Sequence, residues 1–295
     1  MNTLRITLLG SVRLEHGESK QEEKLTATPC ALLAFLVLFR QRFHPREVLL
    51  NLMWGDLPPE RARGCLNTAL WRLRRRLEPQ GVPSGTYLIS TSAGELAFNC
   101  MSDYWLDVAA FEEITNHVMH TPPAHAGEKE IYDLENAISL YTGDLLESQY
   151  CDWVVQERER LRNLMLDARY YLMNHYQNRQ DYPRALAHGA QILSANLLRE
   201  DVHRQMMRLY NESGQRSMAV RQYQLCRQAL FSELNIEPMP ETRLLFEQIS
   251  GYTSLKPGTE DNQNEVNLAL AHLHTAIETV NQARLELEQA LERLH

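Results

Sequence analysis

The sequence contains no C-x-x-C pair, and its five cysteines (Cys30, Cys65, Cys100, Cys151 and Cys226) are odd in number and widely spaced. That distribution fits neither a disulfide framework nor a zinc ribbon, so reduced and mostly buried thiols are expected, with a redox role for Cys65 as the minor alternative. The longest apolar run, ALLAFLVLF at 31–39, is far too short to cross a bilayer as a helix. The start, MNTLRITLLGSVRLEHG, has short alternating apolar pieces instead of a cationic leader, an apolar stretch and a cleavage site. A cytoplasmic protein with no membrane partner is the resulting expectation. Neither G-x-S-x-G nor H-E-x-x-H occurs, and carboxylate pairs such as Glu112 and Glu113 read as helix-surface residues. His117, His120 and His125 lie beside a Thr-Pro-Pro loop without a supporting carboxylate or cysteine pattern, so they read as solvated. No catalytic residue, metal or cofactor is expected, and the chain does not read as an enzyme.

With 44% hydrophobic and 23% charged residues over 295 positions, the composition is that of a globular protein long enough for two domains. The formal net charge of -8 is unevenly placed. Residues 1–100 hold 13 Lys/Arg against 9 Asp/Glu (+4), 101–260 hold 15 against 23 (-8), and 261–295 hold 2 against 6 (-4). A basic first third on an acidic remainder suggests that one part meets a polyanion while another keeps the chain soluble or meets proteins. The positive charge is concentrated further: RARGCLNTALWRLRRRL at 61–77 carries six arginines and no acid.

Alternating stretches at 4–9 and 11–14, with Gly10 and Gly17 at turns, read as strands, and 24–27 is a candidate third. Thr28 is placed to cap a helix with Pro29 at its first position, and 31–40 is apolar enough for that helix to be buried. Pro45 opens a second helix with Val48, Leu49, Leu52 and Met53 on one side, ending at Gly55; Pro58 and Pro59 force a turn. On a third helix, Leu66, Leu70, Leu73 and Leu77 form a narrow apolar stripe. Arg61, Gly64, Thr68, Trp71, Arg72 and Arg75 fall on the opposite face, Arg63 and Arg74 on one flank, Arg76 on the other. Residues 86–90 and 95–99 alternate around Ala93 and Gly94, a hairpin signal. Strands, three helices and a hairpin describe a winged helix-turn-helix over residues 1–100.

From 103 to 250 the pattern is helical. Tyr176 against Tyr210, Tyr182 against Arg216 and Ala185 against Ala219 are each 34 residues apart, the tetratricopeptide period. Helical pairs at 161–178 with 182–195, and 200–213 with 217–234, fit such repeats, which offer grooves for partners. Residues 251–265 are polar, hold Gly and Pro, and read as a linker. In 266–295, Val266, Leu270, Leu273, Ile277, Val280, Arg284, Leu287, Leu291 and Leu294 keep a 4,3 spacing, a heptad seam. The fold expected is mainly α: a winged helix, an all-α tetratricopeptide-like domain, and a C-terminal coiled-coil helix. Self-association through Leu270, Leu273, Ile277, Val280, Leu287, Leu291 and Leu294 would make the chain a homo-oligomer; packing of this helix back onto the domain is the alternative.

Two motif sets carry a family resemblance. Leu52-Met53-Trp54-Gly55-Asp56, Pro58-Pro59, Ala62-Arg63 and Trp71-Arg72-Leu73-Arg74-Arg75-Arg76-Leu77 resemble the OmpR-type winged helix of the antibiotic regulatory protein (SARP) family. Tyr141-x-Gly143-Asp144-Leu145-Leu146, Asp152-Trp153-Val154, Glu157 to Leu161, Asp181-Tyr182, Ala185-Leu186 and Glu233 to Thr242 resemble that family's bacterial transcriptional activation domain. The resemblance covers residues 3–250 and implies a DNA-binding activator that sits at promoter repeats and recruits RNA polymerase. Larger relatives add an ATPase or phosphopeptide-binding module; this sequence has no G-x-x-x-x-G-K-[ST] loop and leaves no residues for a further domain, so those inputs are expected to be absent.

The resemblance places Arg72 at a base-reading position, and an arginine can bond guanine twice in the major groove of double-stranded DNA. Arg75, Thr68 and Trp71 share its face, and Gly64 would let the helix approach the backbone closely. Arg61, Arg63, Arg74 and Arg76 are better placed for phosphates, as are the hydroxyls of Ser90, Thr91 and Ser92. A solvated helix normally interleaves charges of both signs, which this one omits. Family wings often carry an arginine before their glycine, where Ala93 stands here, and Glu95 would be repelled by DNA, which puts minor-groove reading in doubt. The alternating charges at 157–162 read as an exposed helix face. The competing function is a tetratricopeptide-type adaptor or ligand sensor whose winged fold makes protein contacts only; an unidentified effector in the helical groove fits either reading.

Overall fold

The computed structural model describes residues 3–16, 25–147 and 149–251. Strands β1 (Leu4–Thr7) and β2 (Arg13–His16) precede three helices, α1 (Ala27–Leu38), α2 (Arg46–Trp54) and α3 (Pro59–Leu77). A hairpin of β3 (Leu88–Ser90) and β4 (Leu96–Phe98) follows, then β5 (Tyr104–Leu106). The rest is helical: α4 (Asp107–Met119), α5 (Glu128–Leu140), α6 (Asp152–Asn178), α7 (Tyr182–Ala195), α8 (Glu200–Glu212), α9 (Arg216–Leu234) and α10 (Pro240–Ser250). The chain is thus mainly α, an α/β region followed by an all-α, tetratricopeptide-like one. The expected linker and heptad helix, 251–295, lie outside the described residues except for Gly251.

Helix α1 is buried on every side from Pro29 to Val37, as its unbroken apolar run requires. It starts at Ala27 with Thr26 as N-cap, two residues before the expected cap at Thr28, and there is no strand at Leu25 and Thr26. Pro29 fits just as well two positions further in, because the first-turn amides have no helical partner to lose. In α2 only Leu49 is fully buried, and Val48, expected with it, is 47% exposed. The stripe of α3 holds: Leu66, Leu70, Leu73 and Leu77 are all buried, joined by Ala62 and Ala69.

The three-stranded sheet runs β2-β1-β5. β1 pairs antiparallel with β2, Leu4 opposite His16, and parallel with β5, Ile6 opposite Leu106. Sequence reading takes everything from 103 as helical and misses β5, a three-residue strand with no turn signal of its own and a partner about 100 positions earlier. Immediately after it, buried Asp107 accepts the backbone N–H groups of Leu8 and Leu9 on Oδ2, at 2.8 and 2.9 Å, and that of Val108 on Oδ1. Gly10, at φ +86°, turns the chain where a Cβ would meet Thr142 Oγ1 at 2.7 Å; its N–H donates to the Asp144 carbonyl, and Thr142 Oγ1 donates to Leu9 O. Phe35 of α1 packs edge-on against Trp153 of α6. The α/β region and helices α4 to α8 share one apolar core.

The 34-residue period is visible in the backbone. Gln180 and Gly214, 34 apart, both adopt positive φ between the helices of a pair, and the amides of Asp181 and Gln215 donate to the carbonyls of Tyr176 and Tyr210. Ala185 and Ala219 are fully buried at equivalent places. A left-handed residue costs a side chain roughly 1 kcal/mol that glycine avoids. Gln180→Gly is therefore expected to raise the unfolding free energy by about 0.5–1 kcal/mol, and Gly214→Ala to lower it by a similar amount, both read from urea melts.

Candidate nucleic-acid interface

The buried leucines of α3 fix which arginines face solvent. Arg61, Arg63, Gly64, Thr68, Trp71, Arg72 and Arg75 are exposed, Trp71 by 59%. Arg75 lies over the Trp71 ring, its guanidinium carbon 5.6 Å from the centroid, which keeps both groups extended along the outer ridge. Thr68 Oγ1 donates to the Gly64 carbonyl of its own helix at 2.9 Å. A Cβ on Gly64 would meet nothing within 4 Å, so no intramolecular packing requires glycine there. Arg72 leans towards α1 and donates from Nη1 to Thr26 Oγ1 at 3.3 Å.

The flanks are more committed than sequence reading anticipates. Arg74 is half-buried and donates from Nη2 to Ser90 Oγ at 2.7 Å, so two expected phosphate ligands bind each other and brace the hairpin against α3. Glu78, the C-cap of α3, completes that brace by accepting the amides of Tyr87 and Leu88 on Oε1. Arg76, also half-buried, donates to the Leu14 carbonyl of β2 at 3.3 Å. Thr91 Oγ1 accepts the Glu95 amide inside the turn, whereas Ser92 is exposed. An acid does face the stretch: Glu60 pairs with Arg63 at 3.2 Å, both side chains well exposed. Such a pair contributes about 0–1 kcal/mol and yields to a stronger anion.

Two residues that sequence reading overlooks border the ridge. Arg46, at the start of α2, donates to Asn67 Oδ1 on α3 at 2.9 Å and has the hairpin glycine Gly94 beside it. Beside Trp71, Arg74 and Arg75 a shallow cleft of ≈ 220 Å³ is closed by Glu78, Val82 and Ser84. The cysteines divide: Cys30 and Cys226 are buried, with burial pushing their thiols up to about 11 and about 12, while Cys100 is exposed and Cys65 and Cys151 are half-buried.

In the helical region the quoted motif residues mostly hold structure. Asp144 is held below the usual carboxylate range: burial opposes its charge, but hydrogen bonds from Tyr141 and Arg162 prevail. The run at 157–162 is more than an exposed face. Arg158 donates to three backbone carbonyls, Leu145, Leu146 and Gln149, and Arg160 bridges Glu112 and Glu157. Thr242, fully buried, accepts from Arg204 and donates to Glu200, which ties the start of α10 to α8. Among the described residues no helix is long and apolar enough to cross a membrane, and no three His, Cys, Asp or Glu side chains are grouped to hold a metal.

An arginine-bearing helix on an α/β region, packed in one core with tetratricopeptide-like helices, is the arrangement to be compared with known proteins. Residues 106–250 match the model of the bacterial transcriptional activator domain. The chain is 27% identical over 253 residues to regulatory protein AfsR of Streptomyces coelicolor, covering 83% of this chain and 24% of that one. It is 26% identical over 255 residues to transcriptional regulatory protein MoaR1 of Mycobacterium tuberculosis, covering 84% of this chain and 77% of the relative. It therefore spans about a quarter of AfsR and about three quarters of MoaR1. The fold is similar to that of Mycobacterium tuberculosis EmbR, solved in complex with a low-affinity phosphopeptide, with TM-score 0.71 and 21% identity over 94% of this chain and 72% of that one. Residues 106–250 thus hold a bacterial transcriptional activator domain, and over most of its length the chain is similar to the regulatory proteins AfsR and MoaR1.

Proposed function

We propose that this protein is a cytoplasmic, sequence-specific activator that binds double-stranded DNA at promoter repeats and recruits RNA polymerase. The observation that carries the reading is the outer ridge of α3, where Arg61, Gly64, Thr68, Trp71, Arg72 and Arg75 stand clear of the core that their leucines help to form. Helices α1 to α3 and the β3–β4 hairpin act as a winged helix-turn-helix over residues 1–100, with α3 in the major groove. Arg72 and Arg75 read base edges, with Thr68 and Trp71 beside them; Arg61, Arg63 and the Ser92 hydroxyl face phosphates, while Arg74, Arg76, Ser90 and Thr91, engaged within the fold, reach phosphates only by exchanging those partners. Residues 103–250 contact polymerase or an effector, 251–265 link, and 266–295 pair as a coiled coil. Sequencing the genomic fragments retained by the protein at moderate salt tests the reading. An enriched motif supports it, and no enrichment would leave a protein-binding adaptor in its place.

Gly64 separates fold from function. With open space around its Cβ position, Gly64→Ala is expected to stabilise α3 by about 0.5–1 kcal/mol. Gly64→Glu is expected to keep a near-native melting temperature while losing most DNA affinity, because the side chain and its charge would stand between helix and backbone. Equal affinity for the Glu variant and the wild type in a DNA titration would remove α3 from the groove. For the heptad seam, light scattering of residues 1–260 against the full chain is expected to show a larger multiple of the chain mass for the latter.

A further inference from the structure

Thr26 occupies the N-cap of α1, where a threonine hydroxyl ordinarily accepts an amide of the first turn. Here the side chain makes no capping hydrogen bond, and its oxygen accepts Arg72 Nη1 at 3.3 Å. The next residue is held as well: Gln149, from the 141–150 segment between α5 and α6, donates from Nε2 to the Ala27 carbonyl at 2.5 Å. That segment is fastened in turn by the Arg158 guanidinium, which binds the carbonyls of Leu145, Leu146 and Gln149. The contacts run without a break from α6 through the start of α1 to the outer ridge of α3.

We infer that Thr26 and Gln149 are positioning residues for Arg72, and that through them the helical domain sets how sharply α3 reads DNA. The inference rests on the DNA-binding reading above. A guanidinium has five N–H groups in a planar fork. With one Nη1 hydrogen engaged by Thr26, the Nε and Nη2 edge remains whole, and that edge supplies the two parallel donors that guanine O6 and N7 accept. Fixing the plane beforehand removes part of the rotamer entropy that a free arginine gives up on binding, and that saving is confined to the sequence at which the bidentate contact forms. Thr26 therefore acts on specificity more than on general affinity for DNA. Because Gln149 belongs to the activator domain and Thr26 to the α/β region, a partner that shifts residues 141–150 would alter base reading without touching α3.

The test uses the full chain and two duplexes of equal length, one carrying the motif selected by the wild type and one random. Thr26→Val removes the hydroxyl while keeping side-chain shape; since that hydroxyl caps nothing, α1 should melt as before. The specific-to-random affinity ratio is expected to fall about 2- to 10-fold, and Thr26→Ser to restore it. Gln149→Ala is expected to lower the ratio in the same direction. A selected motif whose ratio is unchanged by Thr26→Val overturns the inference and leaves the DNA-binding reading standing. An unchanged ratio in Gln149→Ala overturns the link to the helical domain. A wild type that selects no motif removes both the inference and the reading beneath it; where a motif is selected, Arg72→Ala is expected to lose the specific-to-random preference in the same assay, and an unchanged preference there overturns the inference as well.

Discussion

Asp107→Ala is expected to lower the unfolding free energy by about 3–5 kcal/mol, a fall in melting temperature of roughly 6–20 °C for a unit of this size. The carboxylate accepts three backbone amides, those of Leu8, Leu9 and Val108, and is 1% exposed. Truncation leaves the two β1-side donors buried without a partner, and each stranded donor costs about 1–3 kcal/mol. Asp107→Asn should also be destabilising, because its amide offers one acceptor oxygen and turns an N–H2 towards the other donors. The pH dependence has a definite sign. Burial raises the Asp107 carboxyl above its ordinary value, against the pull of the amides, so the stabilisation due to this shift is complete at low pH and is lost as pH rises through the raised value. The deficit of Asp107→Ala relative to wild type is expected to be larger near about pH 4 than near pH 7. A deficit that shrinks on acidification would contradict the assignment.

The second large effect concerns DNA. Arg72→Ala should weaken binding to the selected site by about 1–3 kcal/mol, roughly 5- to 150-fold, while sparing affinity for random duplexes. Arg75→Ala should behave alike, with the Trp71 ring losing its stacked partner. Arg63→Ala should instead lower both affinities together and flatten the salt dependence by about one phosphate contact. Equal losses on specific and random DNA for Arg72→Ala would make it a phosphate ligand. Parallel salt titrations of the three variants separate these roles.

The helical period of 61–77 was enough to orient α3, because one face had to be buried and only leucines could fill it. The 34-residue spacing likewise located α6 to α9, since a repeated turn places like residues at like depths. What sequence could not show is anything that joins distant segments. Gln149 and Ala27 are 122 positions apart, and no local pattern announces a glutamine side chain that binds a carbonyl. Arg74 and Ser90 both carried the chemistry of phosphate ligands, and only their three-dimensional approach makes them each other's partner. Thr28 and Thr26 are equally good caps on paper; the choice follows from where the extended backbone ends.

The parallel pairing of β1 with β5 also constrains how the protein is made. Leu4 meets Tyr104, so the first strand cannot complete its sheet until about a hundred further residues have been synthesised. At about 5–20 residues per second this leaves an unpaired apolar edge on the ribosome for roughly 5–20 seconds. The nascent N-terminus must therefore wait for the opening of the activator domain, which makes the two functional halves inseparable during synthesis even though their motifs occupy separate stretches of sequence.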